Sequence, residues 1–165
     1  MAPPRYRRPA PRKPSSFEHG LTEILSYEAP AQALALFQTY AKASGLMKIS
    51  APVRKQFERA LLAAEKSGAV IIEREADPEA KDETDSVCWI TRLPDQPRVI
   101  VRGLGERGFA DIPMGELAAV VLDIRTADEL LGREEIYRAA LAHYGLLKVT
   151  ALVKRRLDKV LADYF

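Results

Sequence analysis

A stretch of eleven residues recurs 100 positions later without a gap, and no other feature of this chain limits its fold as much. Gly45-Leu46-Met47-Lys48-Ile49-Ser50-Ala51-Pro52-Val53-Arg54-Lys55 aligns with Gly145-Leu146-Leu147-Lys148-Val149-Thr150-Ala151-Leu152-Val153-Lys154-Arg155. The match continues on both sides. Phe57, Glu58, Arg59 and Leu61 face Leu157, Asp158, Lys159 and Leu161, while Phe17, Leu21, Ile24 and Phe37 face Leu117, Val121, Ile124 and Tyr137. Apolar, capping and charged positions are kept together, so one amphipathic unit is used twice.

The first copy reads as three helices. Ser15 and Glu18 have capping-box spacing, and Phe17, Leu21, Ile24 and Leu25 follow at helical intervals. A second helix is expected from about Ala31 to Ser44, with Leu34, Phe37 and Tyr40 inward and Gly45 as the stop. A third follows Ser50, with Pro52 tolerated in its first turn and Val53, Phe57, Ala60, Leu61 and Ala64 as the apolar stripe. Beyond Gly68 the period changes. Ala69–Ile72 and Val87–Ile90 read as two short strands joined by a long acidic loop, expected to be a solvated connector. A third β-type run, Arg98–Arg102, either pairs with them or links forward. Helices resume at Gly115 or Glu116 and continue to the end.

Three helices followed by a hairpin is the winged-helix arrangement, in which the third helix usually enters a nucleic-acid groove. The expected fold class is therefore mainly α with a small β-hairpin, as tandem winged-helix or helix-turn-helix-like units. The divisions are a basic, proline-rich arm over 1–14, a first unit over 15–92, a strand and Gly-rich linker over 93–111, and a second unit, without a wing, over 112–165. The arm has five prolines and no acid, and reads as disordered. It is either a phosphate-seeking arm, or a solubilising tail or a linker from something larger.

Net charge is only +2, so electrostatic preference must come from local clustering. With the apolar stripe inward, Arg54, Lys55 and Arg59 face solvent on the first unit, and Lys154, Arg155 and Lys159, with Arg156 alongside, on the second. Lys48 and Lys148 lie in the preceding turns. These nine cations are the candidate nucleic-acid contacts. Glu58 and Asp158 stand among them, and a mixed-charge face is also what an ordinary solvated helix shows. Tyr6 and Trp89 are stacking candidates, Trp89 fitting a core position better.

Signs of catalysis are missing. Gly103-Leu104-Gly105-Glu106-Arg107-Gly108 satisfies G-x-G-x-x-G, yet no helix opens at its third glycine and no βαβ unit surrounds it. A flexible interdomain link is expected there, with no cofactor. His19 and His143 are solitary, and the one cysteine, Cys88, excludes an internal disulfide and supplies a single thiolate. The acidic loop, with Glu73, Glu75, Asp77, Glu79, Asp82, Glu83 and Asp85, lacks calcium-loop spacing. No apolar run approaches the roughly 18 residues needed to span a bilayer. A cytoplasmic protein with no membrane partner, no metal and no enzymatic role is expected.

Ile112-Pro113-Met114-Gly115-Glu116-Leu117, then Glu134-Glu135-Ile136-Tyr137 and Gly145-Leu146, resembles the uncharacterised domain at the C-terminus of large bacterial proteins related to superfamily I DNA helicases. The resemblance covers about residues 95–165, and more weakly 20–72 through the repeat. It implies an accessory nucleic-acid-binding or interaction module serving a helicase or nuclease, with no catalytic residue to carry over; the expected function is non-catalytic binding of DNA in the first place and RNA in the second. The alternative is a protein-interaction or dimerisation module, with an apolar patch near Leu161 and Phe165.

Overall fold

The computed structural model describes residues 16–82 and 84–165. The basic arm with Tyr6, the capping residue Ser15 and the loop residue Glu83 lie outside the described residues.

Helix α1, Ser16–Glu28, turns Leu21 and Leu25 into a common core, and the imide nitrogen of Pro30 has no hydrogen to continue the ladder. Strand β1 is only Ala31–Gln32. Helix α2, Ala33–Ala43, buries Ala33, Leu36, Phe37 and Ala41. It ends at Gly45, whose φ of 75° suits a residue without a Cβ, and the Leu46 amide closes onto the Ala41 carbonyl at 2.8 Å. Helix α3, Ala51–Ser67, starts where the Ser50 hydroxyl accepts from the Val53 amide. Phe57 projects from it between Phe17 and Phe37, with ring centroids 4.7 and 4.9 Å away, and Tyr40 packs edge-on. Full burial of one such ring contributes about 2–3 kcal/mol.

Strands β2, Ile71–Arg74, and β3, Trp89–Arg92, complete a three-stranded antiparallel sheet in the order β1-β3-β2. Ala31 faces Thr91 across one edge of β3, and Ile72 faces Thr91 across the other. The buried Gln32 amide donates to the Val87 carbonyl, and the Thr91 hydroxyl to that of Ala31, so both polar groups are matched. Trp89 lies in the core, as its setting suggested.

Three more helices follow: α4, Met114–Ala127; α5, Arg133–His143; and α6, Ala151–Tyr164. They enclose a second core of Ile112, Leu117, Val121, Tyr137, Leu141, Val153, Leu157 and Val160. The offset of the sequence repeat reappears in two of the three, while α4 begins 98 residues after α1. α5 begins and ends 100 residues after α2, and α6 begins 100 after α3. Gly145 has φ 70°, and Thr150 accepts from the Val153 amide as Ser50 does from Val53. Among the described residues no helix is long and apolar enough to cross a membrane.

Several boundaries differ from expectation. Ala31 and Gln32, expected to open the second helix, are instead taken by β3, whose free edge offers ladder partners. The hairpin strands both start two residues later than expected: the Ala69 and Val70 amides close onto the Ala64 carbonyl at the end of α3, and the Asp85 carboxylate accepts from the Val87 amide and tightens Ser86–Cys88 into a 3-10 turn. Residues 98–102 form no strand: β3 already has a neighbour on each edge, and Pro94 and Pro97 precede the run.

The Gly103–Gly108 segment is not a free link. Arg107 pairs with the buried Glu116 at 2.7 Å and donates to the carbonyls of Gly103 and Leu104, which fastens the loop to α4. Nor is the acidic loop a solvated connector. Glu75 accepts from the Gly115 amide, Asp77 holds Arg156, and Glu79 holds Arg155, so the hairpin of the first unit clasps the second. Glu73 takes Arg92 and Arg98, and Asp85 takes Arg54. The Glu75 carboxyl lies above its usual range, mainly because it is buried.

Candidate nucleic-acid interface

In each unit the turn between the second and third helices brings a lysine and the start of a basic helix to the surface. Lys48 and Lys148 occupy these turns. Lys48, Lys55, Arg59 and Lys148 are exposed and make no ion pair among the described residues. These four cations are free to meet phosphate.

The other five candidates have carboxylate partners. Lys154 reaches Glu134 at 3.5 Å, Arg155 reaches Glu79 at 2.8 Å, and Lys159 reaches Asp163 at 3.0 Å. Such exposed pairs contribute about 0–1 kcal/mol, so they yield to a phosphate at small cost. Arg54 is held more firmly: its guanidinium donates to Asp85 at 2.6 Å, to Glu58 at 3.0 Å and to the Ser86 hydroxyl. It ties α3 to the loop after β2 and is not a free contact.

Arg156 must be removed from the set. It is 0% exposed, paired with Asp77, and its guanidinium also donates to the Ile112 carbonyl. Helical periodicity explains the error: Val153, Arg156, Leu157 and Val160 lie on one face of α6, at i, i+3, i+4 and i+7. A basic residue at an inward position reads as a surface cation unless its buried acid is known. That acid lies 79 residues away.

The distribution of acids along the sequence carries a further signal for this surface. Between Glu28 and Glu58 there is no Asp or Glu, but there are four cations: Lys42, Lys48, Arg54 and Lys55. Between Glu135 and Asp158 there is again no acid, with Arg138, Lys148, Lys154, Arg155 and Arg156. The spans 29–57 and 136–157 are thus one-signed, although Glu134 and Glu135 stand in the first turn of α5 and Glu58 and Asp158 follow on α3 and α6, and this adds Lys42 and Arg138 to the candidate surface. The N-termini of α3 and α6 add the positive ends of two helix dipoles.

Among the described residues no group of three His, Cys, Asp or Glu side chains could hold a metal ion. Burial pushes the Cys88 thiol up, which disfavours a thiolate nucleophile. His143 is exposed and packs edge-on against the Tyr144 ring.

The second unit is braced by the Tyr137 hydroxyl of α5, which donates to the Asp158 carboxylate of α6. Burial, then Asp158, pushes the Tyr137 phenol up to about 12. A phenol raised in the fold favours the native state below its unfolded pKa of about 10, and loses that contribution as pH climbs through the folded value. Stability should therefore decline between about pH 10 and 12. Tyr137→Phe should flatten that decline and remove the phenolate absorbance that develops near pH 12; an unchanged alkaline titration would show that this hydroxyl is open to solvent.

Comparison with protein-family models, curated proteins and solved structures finds no match for this chain.

Proposed function

We propose that this chain is a non-catalytic nucleic-acid-binding protein built from two winged-helix-like units in tandem, with DNA as its first ligand and RNA as its second. The observation that carries the reading is the pair of turns between the second and third helices, set in the acid-free spans 29–57 and 136–157, with Lys48, Lys55, Arg59 and Lys148 on or next to these spans, exposed and without an ion pair among the described residues. Support for the winged-helix assignment comes from the order α1-β1-α2-α3-β2-β3 and the sheet order β1-β3-β2, with the acidic loop as the tip of the wing. The 100-residue offset shared by helix bounds and caps supports a repeat in which the second unit keeps the three helices. The wing itself does not contribute to the proposed interface, because its acids hold the two units together. A setting beside a helicase or nuclease is what the resemblance of residues 95–165 suggests, and the single cysteine fits a reducing cytoplasm.

The test is fluorescence anisotropy of the full chain with labelled DNA and RNA at roughly 50 and 200 mM salt, where phosphate contacts show as counterion release. Affinity should fall steeply with salt. Reversing Lys48, Lys55, Arg59 and Lys148 to glutamate should weaken binding about a hundredfold and flatten the log–log salt slope by roughly three to four units. All four side chains are exposed, so circular dichroism should be unchanged. Undiminished affinity in this variant would remove the surface.

A second reading, a protein-interaction or dimerisation module, is favoured by one observation. Leu122, Tyr164 and Phe165, on α4 and at the end of α6, are large, apolar and exposed, with Leu161 partly buried beside them. Light scattering that shows a concentration-dependent mass, together with no nucleic-acid binding, would select it.

A further inference from the structure

Two apolar side chains stand fully in solvent at the same place in both units. Met47 is 100% exposed and Leu147 is 95% exposed, each one residue before an unpaired lysine, Lys48 or Lys148. A single exposed apolar residue needs no explanation. Here the first of the two also borders a groove of about 410 Å³ between α2 and the turn that follows it. Its apolar wall is Ala41, Leu46, Met47 and Ile49, and its polar members are Gln38, Lys42 and Lys48. The Gln38 amide has no hydrogen-bond partner among the described residues. Lys42 has only a loose contact with Glu106 at 3.9 Å, both side chains being almost wholly solvated. In the second unit Arg138 takes the place of Gln38, again exposed and without an ion pair among the described residues.

We infer that the groove beside Met47 is a site for an unpaired base, so that the preferred ligand is a nucleic acid with bases out of the stack, such as a duplex–single-strand fork. Each component has a part. The apolar wall accepts the face of a base that has left its neighbours, and Met47, flexible and polarisable, is the wedge that replaces the lost stacking partner. Gln38 offers both a donor and an acceptor to the base edge. Lys42 and Lys48 flank the groove where the phosphates on either side of an extruded nucleotide must pass. No carboxylate lies on the chain between Glu28 and Glu58 to oppose them. A protein partner would need a complementary acidic and apolar surface. A nucleotide supplies negative charge and a flat apolar face in one unit, and the groove is built of the same two elements.

This inference rests on the nucleic-acid reading above, and its test separates the two. The full chain is titrated into a blunt DNA duplex and into a forked duplex of equal length that carries 2-aminopurine at the first unpaired position. The fork should bind about fivefold tighter or more, and 2-aminopurine fluorescence should rise as its base leaves the stack. Gln38→Ala with Met47→Ser should bring the ratio of fork to duplex affinity close to one and abolish the fluorescence change. Leu130→Ser, at another fully solvated leucine remote in sequence from both turns, should leave the ratio as it was. Equal, salt-sensitive binding of fork and duplex by the unaltered chain would overturn the base site and leave the phosphate-binding reading standing. A fork preference that survives the double substitution would overturn it too. No binding to either probe would remove both proposals.

Discussion

Replacing Arg156 by alanine is expected to lower the unfolding free energy by about 3–5 kcal/mol, the cost of leaving a buried carboxylate without its partner. The side chains of Arg156 and Asp77 are 1% and 3% exposed, so solvent cannot take over the lost contact. The Ile112 carbonyl loses its donor as well. Chemical denaturation followed by circular dichroism should show the midpoint moving down. Arg155→Ala, one residue along, breaks only the solvated pair with Glu79 and should cost under about 1 kcal/mol. Replacing both buried partners, Arg156→Met with Asp77→Leu, should recover much of the loss, because an apolar pair carries no desolvation penalty. If Arg156→Ala costs as little as Arg155→Ala, the clasp between hairpin and second unit is open in solution.

Glu116→Ala should be the second largest perturbation, at about 3 kcal/mol. This carboxylate sits in the first turn of α4, where the helix dipole favours it, and it accepts from Arg107, from the Arg102 amide and from the Tyr144 hydroxyl. Its removal leaves Arg107 half-buried beside Arg102 with no counter-charge between them, and it frees the Gly103–Gly108 segment. Hydrogen exchange should then rise across residues 102–108 before it rises in the helices. The Tyr144 phenol, raised by burial and by Glu116, should titrate at lower pH in this variant, since one of its two causes is gone. Exchange that stays slow in the loop would mean that backbone contacts alone hold it.

Much of the helical architecture was legible in the chain because it is local. The glycine stops at Gly45 and Gly145, the hydroxyl caps at Ser50 and Thr150, and the i, i+4 spacing of Leu21, Leu25, Phe57 and Leu61 act within one or two turns, so their neighbours in sequence are their neighbours in space. The sheet was less legible. β1 has two residues, too few for any alternation, and exists only because β3 has an edge to pair. The start of β3 was displaced by the Asp85 carboxylate, which tightened the chain ahead of it. The candidate surface was legible in its lysine turns and obscured on α6, where the partner of Arg156 is supplied by a hairpin from the other unit.

Periodicity and repetition, which need only the order of the residues, determined where two helix pairs lie, each joined at a glycine turn that carries a lysine, Lys48 or Lys148. Which of its charges are free was decided mostly by tertiary structure, the pairs Arg54–Glu58 and Lys159–Asp163 being one helical turn apart. A salt bridge depends on distance in space, and the acids that hold Arg54, Arg155 and Arg156 come from 31, 76 and 79 residues away. The acidic loop has the composition of a solvated connector, and only the approach of α4 and α6 made it the clasp between the two units.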